Sequence, residues 1–366
     1  MIRLPGDFGL TTMASKSVIT KQSALFVRLA VRRGGHERLG FWRPAVRPSS
    51  SKFQSGLELP ASTTKRFSTV TTTKPQHPVK DILKGRARRD LHGKVAIVTG
   101  AGSQGDDIGN GRAISILLAE DGASVVCVDK DVSLAQRTAS IIHQALKRRG
   151  KPESPPAALA IQADVTNESD CRRIVDTAVS SFGRLDILVN VVGVMGAHGT
   201  AVDLNPEEWA WGLEINVTSM MLMSRAAIPA MLQNQRREEN GSIRGSIVNI
   251  GSVAGLRGGT RHLLYPTSKG AVVNMTRAMA AHHGRDGIRV NCVCPGMLFT
   301  PMMAGGMTDE MREARKKRSL LGTEGNAWDC ASAVRFLAGD EARWITGSIL
   351  TVDAGATAAV ALSSPV

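Results

Sequence analysis

Aromatic residues are scarce in this chain: 4% of 366 residues, with a single tyrosine, Tyr265. Surfaces that bind nucleic acid interleave basic residues with aromatics, so the scarcity argues against a nucleic-acid partner. Any chemistry that needs a phenol falls to that one tyrosine. Cysteine is sparse too, at five residues. Cys292 and Cys294 lie two apart on an apolar run and so share one face of a strand. No second Cys or His pair stands at ligand spacing, so no metal is expected and the pair reads as small buried residues. No stretch approaches 18 uncharged apolar residues, and membrane insertion is not expected. No repeat of about 20–50 residues is visible, which argues against a solenoid. What remains, 42% hydrophobic and 21% charged, is an ordinary globular composition, long enough for a large core.

The first 90 residues lack acid. They hold 18 Lys+Arg against 5 Asp+Glu, whereas the other 276 hold 28 against 27. The net charge of +14 therefore belongs to an extension, not to a folded face. Ser17–Arg33 has the basic, amphipathic look of a mitochondrial targeting helix, and Arg66-Phe67-Ser68 looks like a matrix-protease site. Residues 1–67 are expected to be a transit peptide, 68–90 a linker and 91–366 the folded domain. A basic, disordered tail that stays attached, in a cytoplasmic protein, is the alternative.

From Lys94 the pattern changes. Lys94–Thr99 is a β-branched run suited to a buried parallel strand. Six more strand candidates follow: Ala123–Asp129, Ala157–Ala163, Asp186–Val192, Ser246–Ile250, Ile288–Val293 and Ser348–Val352. Helical stretches separate them. The alternation predicts an α/β, doubly wound, seven-stranded parallel sheet with helices on both faces.

Two clusters carry chemistry. The first turn, Thr99-Gly100 to Gly111, follows a strand and opens a helix. There glycines let the backbone approach a pyrophosphate and the helix N-terminus offers unpaired N–H groups. Asp129 ends the second strand, where a carboxylate accepts hydrogen bonds from ribose hydroxyls and repels a 2′-phosphate. Asp164 ends the third, as an adenine contact or a helix N-cap. The second cluster is Ser252, Tyr265 and Lys269. Tyr and Lys four apart share a helix face. An adjacent ammonium lowers a phenol's pKa from its usual ~10, fitting it for proton transfer to or from an alcohol oxygen. Ser252, just past the fifth strand, is placed to face the same crevice.

These residues give the chain, from about Leu91 to Ala359, a clear resemblance to the short-chain dehydrogenase/reductase family. The glycine motif is matched by Gly100, Gly109 and Gly111, and the Ser–Tyr–Lys arrangement by Ser252, Tyr265 and Lys269. Asn216 stands where the family has its fourth catalytic residue. Asn291-Cys292-Val293-Cys294-Pro295-Gly296 with Thr300-Pro301 resembles the segment around the nicotinamide. The resemblance implies a doubly wound Rossmann-type fold and hydride transfer between NAD(P)(H) and a secondary alcohol or ketone. It implies that Tyr265 is the general acid/base, Lys269 its tuner and ribose ligand, Ser252 the hydrogen-bond donor to the substrate oxygen, and Asn216 the holder of a relay water. Cofactor contacts are expected from Gly100, Ser103, Gly105, Ile108, Gly109 and Gly111 in the first turn. Asp129, Asp164, Val165, Asn190 and Gly193 follow along the strand ends, then Tyr265, Lys269, Pro295, Gly296 and Thr300. NAD(H) is favoured through Asp129, NADP(H) being the alternative that Lys130 would serve. A homo-oligomer, dimer or tetramer, is implied. The rival reading is a non-catalytic NAD-binding scaffold or sensor.

Three features depart from the family or extend it. Eight residues separate Gly100 from Gly109, so the loop must bulge. Val191-Val192 replaces the family's Asn-Ala, and the lost Asn is expected to remove a polar brace. After the nicotinamide segment comes a Met-rich stretch, Met297 to Met311, with the charged run Arg312–Arg318 beyond it. A flexible Met-lined lid, with no fixed cation near its start, points to a neutral, largely apolar substrate.

Overall fold

A computed structural model of the chain describes residues 86–360, apart from 88, 106, 151–156 and 237–240. All of these fall within one unit, Thr73–Val366. The transit peptide expected over 1–67 and nearly all of the linker over 68–90 lie outside the described residues.

The seven expected strands form, in chain order, β1 (Val95–Thr99), β2 (Ser124–Asp129), β3 (Ala158–Gln162), β4 (Ile187–Asn190), β5 (Gly245–Ile250), β6 (Ile288–Pro295) and, after two short strands, β9 (Ile349–Val352). They make one sheet in the order β3-β2-β1-β4-β5-β6-β9, with every neighbouring pair parallel. The helices are α1 (Asn110–Glu120), α2 (Val132–Arg148), α3 (Glu168–Phe182), α4 (Pro206–Leu232), α5 (Leu264–His283), α6 (Pro301–Ala304), α7 (Asp309–Lys316) and α8 (Ala327–Ala338). The two short strands, β7 (Leu298–Phe299) and β8 (Gly325–Asn326), pair with each other off the main sheet. A strand of two residues carries no readable period, so neither was expected.

Every residue of β1, β5 and β6 is buried, as strands covered on both faces must be. One face carries a core that includes Ile114, Leu118, Ile142 and Val334, from α1, α2 and α8. The other includes Ile174, Met223, Ala227 and Met231, from α3 and α4. Local chemistry sets the helix ends. The Asn167 side chain caps α3, and Asn326 and Asp329 form a reciprocal capping box at α8. Asp164 is therefore not the cap of α3.

Helix α4 bears on the expectation that no segment inserts in a membrane. By length and composition it is long and apolar enough to cross a membrane, although no charge-free window suggested it. Here it lies on the sheet, with Met220, Met223, Ala227 and Met231 buried. A single π turn, Glu214–Thr218, interrupts it and carries Asn216. Such turns recur at functional sites.

Because the strand order reverses between β1 and β4, connections leave the sheet in opposite directions there. A crevice opens at the strands' carboxyl ends.

Candidate active site

The larger of two adjoining cavities at this crevice has a volume of about 680 Å3. Its floor is the glycine turn. Helix α1 packs so closely on this turn that a Cβ at Gly111 would sit 1.9 Å from the Gly100 carbonyl oxygen. The Gly102 N–H donates to Asp129 Oδ2 at 2.9 Å, and a Cβ at Gly102 would strike that oxygen. The second position therefore has to be glycine for Asp129 to reach the loop. The N-cap of α1, Gly109, offers no side chain, so the first-turn N–H groups stay open. Two buried oxygens beside them, Ser103 Oγ and Asn110 Oδ1, have no hydrogen-bond partner, and both residues line the cavity. Orphaned polar atoms at an uncapped helix N-terminus, with a carboxylate at the end of β2, fit a dinucleotide.

The bulged loop is held from behind. Arg112, fully buried in α1, donates to the carbonyls of Ser103 (2.9 Å), Gly105 (3.0 Å) and Asp107 (2.7 Å), and to Thr138 Oγ1 (3.1 Å). A buried guanidinium with several acceptors is satisfied, and removing it would strand three carbonyls. Sequence reading overlooked Arg112, because a charged residue on a helix reads as a solvated one.

Of the expected cofactor contacts, Gly100, Ser103, Gly109, Gly111, Asp129, Asp164, Val165, Gly193 and Thr300 line this cavity. Three residues line neither cavity. Gly105 turns its carbonyl to Arg112, and Ile108 packs on the core. Asn190 donates to Asn249 Oδ1 at 2.9 Å inside the sheet, and Asn249 in turn donates to Thr276 Oγ1 at 3.0 Å. This buried chain joins β4, β5 and α5 through Asn190, and Val191 beside it has no polar side chain to add to it. Asp164 pairs with Lys130 at 2.8 Å. The ammonium and Thr166 hold its carboxyl down at about 2.

The smaller cavity, about 420 Å3, contains Ser252, Tyr265 and Lys269, with Pro295 and Gly296. Ser252 follows β5, and its Oγ accepts from Ala254 N–H at 3.1 Å. Lys269 is 3% exposed, and its Nζ donates to the Ile250 carbonyl at 3.0 Å and lies 5.9 Å from the centre of the Tyr265 ring. Burial pushes the ammonium down to about 8. The expected lowering of the phenol is not what the protein alone provides. Burial pushes Tyr265 up from its ordinary value, and a hydrogen bond with Ser252 pulls it back. At neutral pH Tyr265 therefore holds its proton. Asn216 is fully buried: its Oδ1 accepts from Val194 N–H at 2.7 Å, and its Nδ2 donates to the Val194 carbonyl at 2.9 Å and to Ser268 Oγ at 3.0 Å. A Cβ at Gly193 would approach both Lys269 Nζ (3.0 Å) and Asn216 Oδ1 (3.4 Å). The glycine thus leaves open the space between them.

The lid differs from its expectation. Met297, Met302 and Met303 do line the smaller cavity, but Arg315 and Arg318 join them. The charged run is not remote. Pairing of β7 with β8 and an ion pair from Arg312 to Glu324 (2.6 Å) fold it back, and Arg315 Nη2 donates to the Leu298 carbonyl at 2.9 Å. Among the described residues, no group of three or more His, Cys, Asp or Glu is placed to hold a metal. Cys292 and Cys294 share one buried face with their Sγ atoms 3.7 Å apart.

A nucleotide-binding sheet whose crevice holds Ser, Tyr and Lys side by side defines a class of nicotinamide-dependent oxidoreductases. The family model described as Enoyl-(Acyl carrier protein) reductase matches residues 106–357. The 2-(S)-hydroxypropyl-CoM dehydrogenase 3 of Xanthobacter autotrophicus is 34% identical, over 73% of this chain and 98% of the relative. The (3R)-3-hydroxyacyl-CoA dehydrogenase of Mus musculus is 33% identical, over 72% of this chain and 96% of the relative. Among solved structures, a 7 alpha-hydroxysteroid dehydrogenase complexed with NADH and 7-oxo glycochenodeoxycholic acid superposes with a TM-score of 0.64 at 32% identity, covering 73% of this chain and 95% of the other. The chain belongs to the short-chain dehydrogenase/reductase family. It is an NAD(P)-dependent oxidoreductase of the CH–OH group.

Proposed function

We propose that Tyr265 is the proton donor and acceptor of this enzyme, that Ser252 orients the substrate oxygen, and that NAD(H) is its cofactor. The observation that carries the reading is the meeting of Ser252, Tyr265 and Lys269 in a cavity that shares Gly193 and Thr300 with the dinucleotide cavity. When bound, the nicotinamide supplies or accepts the hydride. The protein's residues handle the proton. A phenol kept protonated by burial is ready to give it to a carbonyl oxygen, and Ser252 stabilises the oxygen as it gains charge. Lys269, fixed on the Ile250 carbonyl beside Gly193 of the shared wall, would hold the nicotinamide ribose when the cofactor binds. Asn216 holds the Val194 backbone through both ends of its carboxamide and so fixes the wall opposite Lys269.

Two features favour NAD(H) over NADP(H). Asp129 lies against the glycine loop where a 2′-phosphate would be repelled. Lys130, the residue that would attract one, is already paired with Asp164. A homo-oligomer fits the outer face of α4. Only 39% of its most apolar stretch is buried, and Trp211 and Met221 are 51% and 41% exposed. The composition of residues 1–90 supports import into the mitochondrial matrix. A reporter fused to those residues would be drawn into mitochondria and cut near Phe67, and a diffuse uncut reporter would refute import.

The test of the main reading is turnover. Purified chain, NADH or NADPH and a panel of ketones and secondary alcohols should show NADH oxidation or NAD reduction with at least one of them. Tight NADH binding with no turnover across the panel would favour a scaffold.

A further inference from the structure

The smaller cavity is lined by Arg257, Arg261, Arg315 and Arg318 as well as Lys269, and by no Asp or Glu. These arginines come from two segments that are distant in sequence. Arg257 and Arg261 belong to the loop between Ser252 and α5, and Arg315 and Arg318 to the end of α7 and just beyond it. Among the described residues one carboxylate, Glu324, stands against this charge, and only at Arg315. Arg257 Nη1 donates to the Ala356 carbonyl at 2.9 Å, and Arg315 Nη2 to that of Leu298 at 2.9 Å. Both acceptors are neutral, so these bonds steady the guanidinium groups and leave their charge in place. The carboxylate nearest Arg315 is Glu324, at 3.8 Å, and it is already engaged at 2.6 Å by Arg312. Arg261 and Arg318 make no ion pair among the described residues. Burial pushes the Arg315 guanidinium down, Glu324 opposes the shift, and Arg318 and Arg312 push the same way as burial.

An exposed arginine is ordinarily a solvated one, and a single arginine at this rim would mean nothing. Here two separate segments bring four to one cavity that also holds Ser252 and Tyr265. A cleft lined by one sign of charge concentrates ions of the other, and a guanidinium presents paired donors that match the oxygens of a carboxylate or a phosphate. We propose that the carbonyl substrate carries an anionic group, a carboxylate or a phosphate ester, seated among these arginines while its carbonyl lies at Ser252 and Tyr265. An apolar spacer between the two ends lies against Met297 and Met303. This substrate class replaces the neutral ketone expected from the sequence, and it rests on the hydride-transfer reading above.

The experiment uses the full chain and three matched sets of methyl ketones of increasing length. One set ends in a carboxylate (5-oxohexanoate, 7-oxooctanoate), one in the methyl ester of the same acid, and one in a phosphate monoester. In NADH oxidation the carboxylate or the phosphate set should exceed the esters in kcat/KM by about tenfold or more, and the better set names the anion. Arg261→Gln and Arg318→Gln should each reduce the anion-to-ester ratio about fivefold, and Arg318→Lys should keep most of it. The ratio should also fall with rising salt. Esters turned over as well as both anions, or a ratio unchanged in the Gln variants, would overturn the proposal. If no ketone of any set is turned over, the hydride-transfer reading fails. Calorimetric titration of the three sets into the NADH-saturated chain then decides the arginine question. Binding of an anion but not its ester, lost in Arg318→Gln, supports the proposal, and no binding of any anion overturns it.

Discussion

The two cavities share a wall and differ in sign. The dinucleotide side is lined by Asp129, Asp164 and Glu214, with one ammonium, Lys130, tied to Asp164. The other side is lined by arginines and Lys269, with no acid. On the readings proposed above, one crevice at the ends of one sheet would treat anions in opposite ways: a phosphate on the cofactor's ribose would meet a carboxylate, and an anion on the other reactant would meet guanidinium groups. The charged residues that make the contrast lie at the end of β2 or in the connections beyond the strands, and the residues of β1, β5 and β6 are all buried.

The largest expected effect separates the two sides by chemistry. Tyr265→Phe removes one hydroxyl from the basic cavity, and no second tyrosine exists to replace it. Its kcat should fall by about 10²–10⁴. NADH affinity, read by fluorescence titration, should stay within about twofold. Wild-type kcat in this variant would end the proposed proton role.

Changing the acidic side should move cofactor choice instead. Asp129→Ala removes the carboxylate facing the ribose position, and the ratio of kcat/KM for NADPH over NADH should rise about tenfold. The ratio is the proper measure, since the Gly102 N–H also loses its acceptor and both cofactors suffer. A ratio that does not move would show that Asp129 supports the loop without reading the ribose.

The last effect is one on stability rather than on turnover, and it concerns the cation buried beside Tyr265. Lys269 has its pKa depressed from 10.5 to about 8 in the folded chain by burial. Below pH 8 both folded and unfolded chains carry the proton, and the folded chain bears the full cost of burying it. Between about 8 and 10.5 only the unfolded chain keeps it, so this contribution to stability improves as pH rises. In the cofactor-free protein at pH 7, Lys269→Met should relieve up to about 3 kcal/mol. Loss of the bond to the Ile250 carbonyl returns about 1 kcal/mol of that. Urea unfolding at pH 7 and pH 10 checks this. The stability advantage of the variant should shrink at the higher pH, and an advantage that grows would refute the assignment.

Legibility in the sequence followed the same divide. The seven strands were readable because each is a short run rich in β-branched and apolar residues, buried throughout in β1, β4, β5 and β6. The dinucleotide cavity was readable because its glycines, Asp129 and Asp164 sit at strand ends that such runs locate. Four-residue helix spacing for Tyr265 and Lys269, and the end of the fifth strand for Ser252, were enough to anticipate that the three line one cavity. Their electrostatics were not, because burial of the phenol cannot be read from four-residue spacing. The arginine cavity stayed hidden for a different reason. Arg315 and Arg318 reach it only because two two-residue strands pair and Glu324 draws Arg312 inward. Neither event leaves a periodic trace. Arg112 was missed because burial of a guanidinium depends on main-chain carbonyls that no side-chain pattern announces.

The clasp between Arg112 and the bulged loop has a consequence for how this turn can change over time. The arginine grips the carbonyls of Ser103, Gly105 and Asp107, atoms that every amino acid possesses. At Ser103, Gly105 and Asp107 the clasp itself therefore fixes no side chain, but it does fix the loop's length. Shortening it would leave a charge facing a greasy interior, and replacing the arginine would leave a loop with nothing to fold around. Each is a liability without the other, so the two form a ratchet, inherited as a pair and hard to reverse one step at a time.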